Sequence, residues 1–178
     1  MANSPIVSVF SSIQGEGLYV GRPHLFIRFA GCNLNCSYCD TPEGLAIPEY
    51  CRIETAPFSQ ISHKCRNPVE TGYLLHTIKR LTALFPRYHA IALTGGEPLL
   101  HTTFLKVLLR YLKRLKIPIM LETNGALPEQ LREIIELVNI ISMDIKMPSD
   151  MNRKQDIWKA TKEFLKLSAR KKINTYIK

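Results

Sequence analysis

Residues 89–125, HAIALTGGEPLLHTTFLKVLLRYLKRLKIPIMLETNG, decide the fold. A short apolar run at 89–93 stops at Thr94-Gly95-Gly96-Glu97-Pro98, a turn signal built from glycine and proline. Across 104–115, leucines recur at helical spacing with lysines and arginines between them, which predicts an amphipathic helix. A second apolar run at 118–121 ends in Glu122-Thr123-Asn124-Gly125. Strand, helix and strand in so short a span make a βαβ unit, whose two strands run parallel.

The alternation extends in both directions. Upstream, a helix is predicted over 73–85 and strands over 25–30 and, more weakly, 6–12. Downstream, Pro128 opens a helix with Leu131, Ile134, Ile135 and Val138 on one face. A strand over 139–143, a last helix over 155–171 and the start of a strand at 173–177 complete the pattern. The expected architecture is α/β, one domain over 1–178 with a mostly parallel sheet, open or curled toward a barrel. Residues 42–70 carry Pro42, Pro48, Pro57 and Pro68 without clear periodicity and are expected to form a mostly irregular insertion.

Parallel sheets bind ligands at the carboxyl ends of their strands. The predicted strands from 25 onward end, the last excepted, in a cysteine-bearing loop, TGGEP, ETNG and Asp144-Ile145-Lys146. Polar and glycine-rich groups gathered at one end of a sheet point to one composite site.

The loop reads Gly31-Cys32-Asn33-Leu34-Asn35-Cys36-Ser37-Tyr38-Cys39-Asp40-Thr41, with three cysteines spaced C-x3-C-x2-C. Soft thiolates suit iron–sulfur clusters, zinc or Cu(I). A structural zinc site is closed by four protein ligands, whereas three leave a position open for something that reacts. Asn33, Asn35, Ser37 and Asp40 make the loop too polar for ordinary core cysteines, and a disulfide would need an oxidising compartment. Zinc with a distant fourth ligand stays open at this point. Cys51, His63 and Cys65 lie in the insertion; an added metal site, a lid, a dimer contact and plain loop cysteines are the readings open to them.

Bulk properties narrow the class. The chain has 178 residues, 46% hydrophobic, with a net charge of +9. No apolar run approaches a membrane span and the N-terminus carries no signal-peptide pattern, so a soluble cytoplasmic protein is expected. Lys159, Lys162, Lys166, Arg170, Lys171 and Lys172 hold much of the basic excess, and they fit the solvated face of one helix better than a nucleic-acid surface.

Individual groups can be matched to chemistry. Gly95 and Gly96 let backbone approach a ligand, and Glu97 can accept from an ammonium; the alternative is a strand-to-helix turn. Glu122 and Asn124 suit a heterocycle or ribose, and Lys146 a carboxylate, although Asn-Gly turns and solvated lysines are common. Gln14, Glu16 and Arg28 flank the cysteine loop and together suit a heterocycle bearing amino, oxo and carboxylate groups. Arg28 lies mid-strand between Ile27 and Phe29, where a charge needs a buried partner or an edge position.

These motifs carry a family resemblance. Cys32-x3-Cys36-x2-Cys39, with Tyr38 before the last cysteine and TGGEP one strand later, resembles the radical S-adenosylmethionine (SAM) superfamily. Ser12-Ile13-Gln14-Gly15-Glu16-Gly17, Cys39-Asp40-Thr41 and Glu122-Thr123-Asn124-Gly125 resemble, within it, the 7-carboxy-7-deazaguanine synthase family. The resemblance implies a partial, open (βα) barrel of the radical SAM type. It implies a [4Fe–4S] cluster on Cys32, Cys36 and Cys39. SAM would lie against Tyr38, Cys39, Asp40, Gly96, Glu97, Asn124, Asp144, Ile145 and Lys146. Ile13, Gln14, Gly15, Glu16, Arg28, Thr94 and Glu122 would bind a pterin substrate, and Thr41 a Mg2+ ion. The implied reaction turns 6-carboxy-5,6,7,8-tetrahydropterin into 7-carboxy-7-deazaguanine with loss of ammonia, through a radical generated from SAM and an electron from flavodoxin or ferredoxin. A homodimer is implied, with no nucleic acid or membrane partner.

The family commonly has Ser-Pro-Lys where this chain has Asp144-Ile145-Lys146, and a further strand and substrate-binding tail are expected beyond Lys178. Other classes make different demands. An activase of a glycyl-radical enzyme would not need the Gln14, Glu16 and Arg28 set. A basic zinc module binding RNA, or a simple electron carrier, would leave TGGEP and ETNG without a role.

Overall fold

The computed structural model describes residues 2–147, 149 and 157–178. The chain opens with β1 (Asn3–Ser4) and β2 (Ile6–Ile13), then returns through a turn of 3-10 helix at Gly17–Tyr19 into β3 (Pro23–Phe29). The cysteine loop follows, then β4 (Tyr50–Glu54), β5 (Ser62–Arg66) and β6 (Val69–Glu70). Helix and strand alternate from there: α1 (Thr71–Leu84), β7 (Ala90–Gly95), α2 (Thr102–Leu112), β8 (Ile119–Thr123) and α3 (Pro128–Ile134). The remaining elements are β9 (Ile140–Met143), α4 (Trp158–Arg170) and β10 (Asn174–Ile177). Gln155, where the last helix was expected to begin, lies outside the described residues.

Among the described residues, eight strands form one sheet in the order β10-β9-β8-β7-β3-β2-β4-β5. All neighbours from β10 to β3 are parallel, and β2 turns back antiparallel on β3. β5 and β10 are free edges, so the sheet stays open. This is the mostly parallel sheet the pattern predicted, in the partial, open (βα) form the resemblance implied.

The helices cover one face, packed in succession α1 on α2, α2 on α3 and α3 on α4. α2 shows why: Phe104, Leu105, Leu108, Leu109 and Leu112 are all buried, a stripe at helical spacing. β7 and β8 are apolar at nearly every position because both of their faces are covered. On the face away from the helices, Phe26, Ala90, Ala92, Met120, Ile140 and Tyr176 make a second, smaller apolar cluster. On α4, Lys159, Lys162, Lys166 and Arg170 are exposed, the solvated face expected of them.

The insertion corrects an expectation. Residues 42–70, read as mostly irregular, contain β4 and β5, an antiparallel hairpin that extends the sheet through β4 beside β2 (Ser8↔Arg52, Val9↔Ile53). β5 reads Ser-His-Lys-Cys-Arg and is almost wholly exposed, so no apolar period marks it. An edge strand with one neighbour needs none.

At the foot of β3, His24 is fully buried and neither ring nitrogen has a partner among the described residues. Its ring stacks on His89 with centroids 5.5 Å apart. Burial, and then the neighbouring His89, push it down to about 4. The unfolded chain therefore binds a proton between about pH 6.5 and 4 that the folded chain refuses, so stability rises with pH across that window. His24→Leu is expected to remove this slope and to be more stable than the parent at pH 5 by roughly 1–3 kcal/mol. Urea unfolding at pH 5 and pH 8 measures it.

Candidate active site

A cavity of about 610 Å3 opens at the carboxyl ends of β3, β7, β8 and β9. The cysteine loop after β3 supplies one wall. Cys32, Cys36 and Cys39 all line the cavity, each half-buried. The loop is pinned from behind by Leu34, which packs on Ile157 beside Cys32 and Cys36. The Leu34 N–H points at the Cys32 sulfur (3.4 Å), and the Asn124 amide reaches both that sulfur (3.9 Å) and Asn33 Oδ1 (2.8 Å). Burial pushes the Cys32 thiol up, and the Leu34 N–H pulls it partly back.

Among the described residues no three His, Cys, Asp or Glu side chains gather on one point as a single-ion site requires. Three soft sulfurs along the wall of a roomy cavity suit a polynuclear iron–sulfur centre with a position left for another ligand.

The opposite wall comes from a segment whose path the sequence did not indicate. After β2, residues 14–19 cross the open face of the sheet to its far edge. There Tyr19 accepts a bond from Asn174 Nδ2 (2.6 Å), and Lys178 pairs with Glu16. The crossing brings Gln14 beside Glu122, with Nε2 2.8 Å from Oε1, while Thr94 donates to the other Glu122 oxygen at 2.7 Å. Gln14, Gly15, Glu16, Thr94 and Glu122, drawn from three separate elements, thus face one space.

Arg28 lies between the two walls. Its guanidinium donates to Thr41 Oγ1 at 3.0 Å and sits 5.7 Å from the Phe10 ring centroid, and Thr41 in turn donates to Asp40 at 3.1 Å. This answers the question of what a mid-strand charge does: it faces the cavity and is held by a hydroxyl and an aromatic face. At the end of β9, Asp144 accepts from Lys146 at 2.8 Å and lies 3.6 Å from Lys178. Lys146 lies 5.2 Å over the Tyr38 ring. Burial alone would lower both ammonium groups. Asp144 outweighs it at Lys146, as do Glu16, Asp144 and Glu122 at Lys178, and both stay above the usual lysine value.

Tyr38, Asp40, Gly96, Asn124, Ile145 and Lys146 also line the cavity, as the strand-end reading expected. Two expected contacts do not. Ile13 is 52% exposed and is not among the lining residues. Glu97 is 0% exposed, with both carboxylate oxygens held inside the protein by Leu99 N–H, Asn124 N–H and the Thr123 hydroxyl. Burial pushes it up to about 7. Phe26 and Lys178 line the cavity without having been expected; an aromatic inside an apolar strand and one lysine among many give no signal in sequence.

Comparison with known proteins agrees with this geometry. The Radical SAM superfamily model matches residues 26–177. The 7-carboxy-7-deazaguanine synthase of Geobacter sulfurreducens is 42% identical over 161 residues, covering 90% of this chain and 63% of that protein. The enzyme of the same name from Methanothermobacter thermautotrophicus is 46% identical over 147 residues, covering 83% of this chain and 51% of that protein. The chain thus spans between half and two thirds of the length of these relatives. The crystal structure of QueE from Escherichia coli superposes with a TM-score of 0.54 at 20% identity, covering 99% of this chain and 94% of that one, a likeness of fold. A family match along most of the chain, over a cavity lined by the three cysteines, identifies this protein as a member of the radical SAM superfamily.

Proposed function

We propose that this chain converts 6-carboxy-5,6,7,8-tetrahydropterin to 7-carboxy-7-deazaguanine with loss of ammonia. One observation carries the proposal: the cysteine wall and the Gln14–Glu122–Thr94 and Arg28 groups face each other across one cavity. Relatives named 7-carboxy-7-deazaguanine synthase support the choice of reaction.

Cys32, Cys36 and Cys39 would hold a [4Fe–4S] cluster. The chemistry such a cluster and SAM would supply is that of a carbon-centred radical, started by an electron from an external carrier of the flavodoxin or ferredoxin kind. The rest falls to the side chains. Tyr38, Asp40, Asn124, Asp144, Ile145 and Lys146 form the SAM wall, with the backbone of Gly96 between them. Lys146, kept charged by Asp144, suits the methionine carboxylate. Glu97 is no part of this wall, because its carboxylate is already fully bonded.

On the substrate side, Glu122 accepts hydrogen bonds from the ring's amino and N–H edge, and Gln14 and Thr94 set its orientation before substrate arrives. Arg28 binds the substrate carboxylate. The Thr41 hydroxyl, between Arg28 and Asp40, is an oxygen ligand of the kind Mg2+ accepts while keeping other positions for substrate. The apolar floor around Phe26 and Met120 keeps water from the ring. A cytoplasmic homodimer is part of the same reading. Among the described residues no helix is long and apolar enough to cross a membrane.

The test is anaerobic turnover of the carboxypterin by protein reconstituted with iron, SAM, Mg2+ and dithionite, followed by the ultraviolet absorption of a deazaguanine. Arg28→Ala is expected to cut kcat/KM by about 10- to 100-fold, the worth of a charge-assisted pair. Its iron content should stay at the parent value. Loss of iron together with activity would mean that Arg28 supports the loop through Thr41 rather than the substrate.

A further inference from the structure

Two cysteines lie outside the loop, and the hairpin hidden in the insertion brings them together. β4 and β5 set Cys51 directly opposite Cys65. The ladder bonds at either end, Asn67 N–H to Glu49 O (3.0 Å) and Thr55 N–H to Ile61 O (2.8 Å), mark the hydrogen-bonded positions of this register. Stepping by two from either end makes Cys51–Cys65 such a position, where Cα atoms lie about 5.5 Å apart. A disulfide spans Cα separations of about 4.4–6.8 Å.

Opposed residues project to the same face, here the one packed against α1. Cys51 is fully buried in the main core and Cys65 packs half-buried at its margin. The Tyr73 hydroxyl of α1 contacts Cys65 and lies 3.0 Å from His63 Nε2. Among the described residues no three His, Cys, Asp or Glu side chains gather on one point as a bound metal ion would need. What remains is chemistry between the two sulfurs.

We propose that Cys51 and Cys65 are a dithiol that closes reversibly to a disulfide, a modification site separate from the cluster cysteines. The oxidant is a low-molecular-weight disulfide. The Cys65 thiolate, the one solvent reaches, attacks one sulfur of that disulfide; its S–S bond breaks and one small thiol leaves. Cys51 attacks the Cys65 sulfur of the mixed disulfide, breaking its S–S bond, and the Cys51 proton passes to the second small thiolate, which leaves as a thiol. Two protein thiols become one disulfide, and one small disulfide becomes two thiols. Burial pushes the Cys51 thiol up to about 12, which suits it to the resolving step rather than the first attack. Opposed Cβ atoms at such a pair sit about 5.5 Å apart and must close by about 1 Å. β5 can supply this, since among the described residues it is an exposed edge strand paired on one side.

Peptide mapping isolates the pair from the other three cysteines. Cleavage after Glu49, Glu54 and Glu70 leaves Cys51 on peptide 50–54 and Cys65 on peptide 55–70. Iron-reconstituted protein is incubated anaerobically with excess glutathione disulfide, alkylated and digested. The expected product is the two peptides joined, lighter by two hydrogens, in more than half of the chains, and separated again by dithiothreitol. Cys51→Ser should leave glutathione on Cys65, and Cys65→Ser should leave Cys51 unmodified. The proposal is overturned if the parent keeps glutathione on Cys65, if both thiols alkylate as free, or if peptide 55–70 is joined to the cluster loop or to a second copy of itself.

Discussion

Gly96→Ala is expected to destabilise the fold by about 3 kcal/mol or more and to abolish iron uptake, whereas Gly15→Ala should leave both unchanged. The difference is steric. A Cβ at Gly96 would lie 2.0 Å from the Gly31 carbonyl oxygen and 2.8 Å from that of Gly44, whereas a Cβ at Gly15 meets nothing within 4 Å. Gly31 is the neck through which the chain enters the cysteine loop, and Gly44 closes the loop by accepting the Gly31 N–H. The end of β7 lies against this neck: Gly96 N–H donates to Phe29 O at 3.0 Å and Glu97 N–H to Gly31 O at 2.8 Å. These atoms are backbone held on several sides, so they cannot swing aside as a flexible side chain would. A methyl group must push the loop outward by about 1 Å, and overpacking of that order costs about 1–3 kcal/mol or more. The displaced segment carries all three thiols, so the damage reaches the site as well as the fold. Thermal unfolding by circular dichroism and iron bound per chain after reconstitution measure the two effects. Stable protein with normal iron would show that the loop neck gives way freely.

The same contacts explain what could be read in the sequence and what could not. The alternation from α1 to β10 was legible because β7 and β8 are covered on both faces and α2 on one, and each condition imposes its own spacing of apolar residues. The location of the cavity followed, since parallel strands bring their carboxyl ends together. Partners were not legible. TGGEP shows two glycines and an acid, but not that the chain's own Phe29 and Gly31 backbone packs against those glycines. Gln-Gly-Glu-Gly signals a turn and says nothing of a segment crossing the sheet to Asn174 and Lys178. β5 is polar because it is an edge, and polar residues between prolines look the same in an irregular loop. Pairings across more than a hundred residues leave no local trace.

Glu97 joins the two strand ends that frame the SAM wall, and replacing it should cost more than any other single polar change in the site. Its oxygens collect Leu99 N–H at 3.0 Å, Asn124 N–H at 2.9 Å and the Thr123 hydroxyl at 2.9 and 3.0 Å. Glu97→Ala leaves these donors buried and unpaired, at about 1–3 kcal/mol for each amide lost. Glu97→Gln keeps the shape but turns an NH2 group toward one backbone N–H, for a loss of about 2 kcal/mol. The pH dependence separates the carboxylate from its shape. Burial raises Glu97 from 4.5 to about 7, so between those values the folded chain holds a proton that the unfolded chain has released. Stability from this group is full below about pH 4.5 and declines as pH rises to 7, by roughly 3 kcal/mol. Glutamine does not titrate, so the parent's advantage over Glu97→Gln should be greatest near pH 5 and smallest near pH 8. His24 slopes the opposite way in part of this window, but it is present in both proteins and cancels in the difference. Urea unfolding of the pair from pH 5 to 8 gives that difference directly, and parallel curves would mean that Glu97 stays ionised throughout. The Asn124 amide hangs from the same junction and reaches the Cys32 sulfur, so Glu97→Gln should also disturb the cluster wall. A carboxylate whose oxygens are bonded inside the protein thereby acts on the site through the strand ends it ties together.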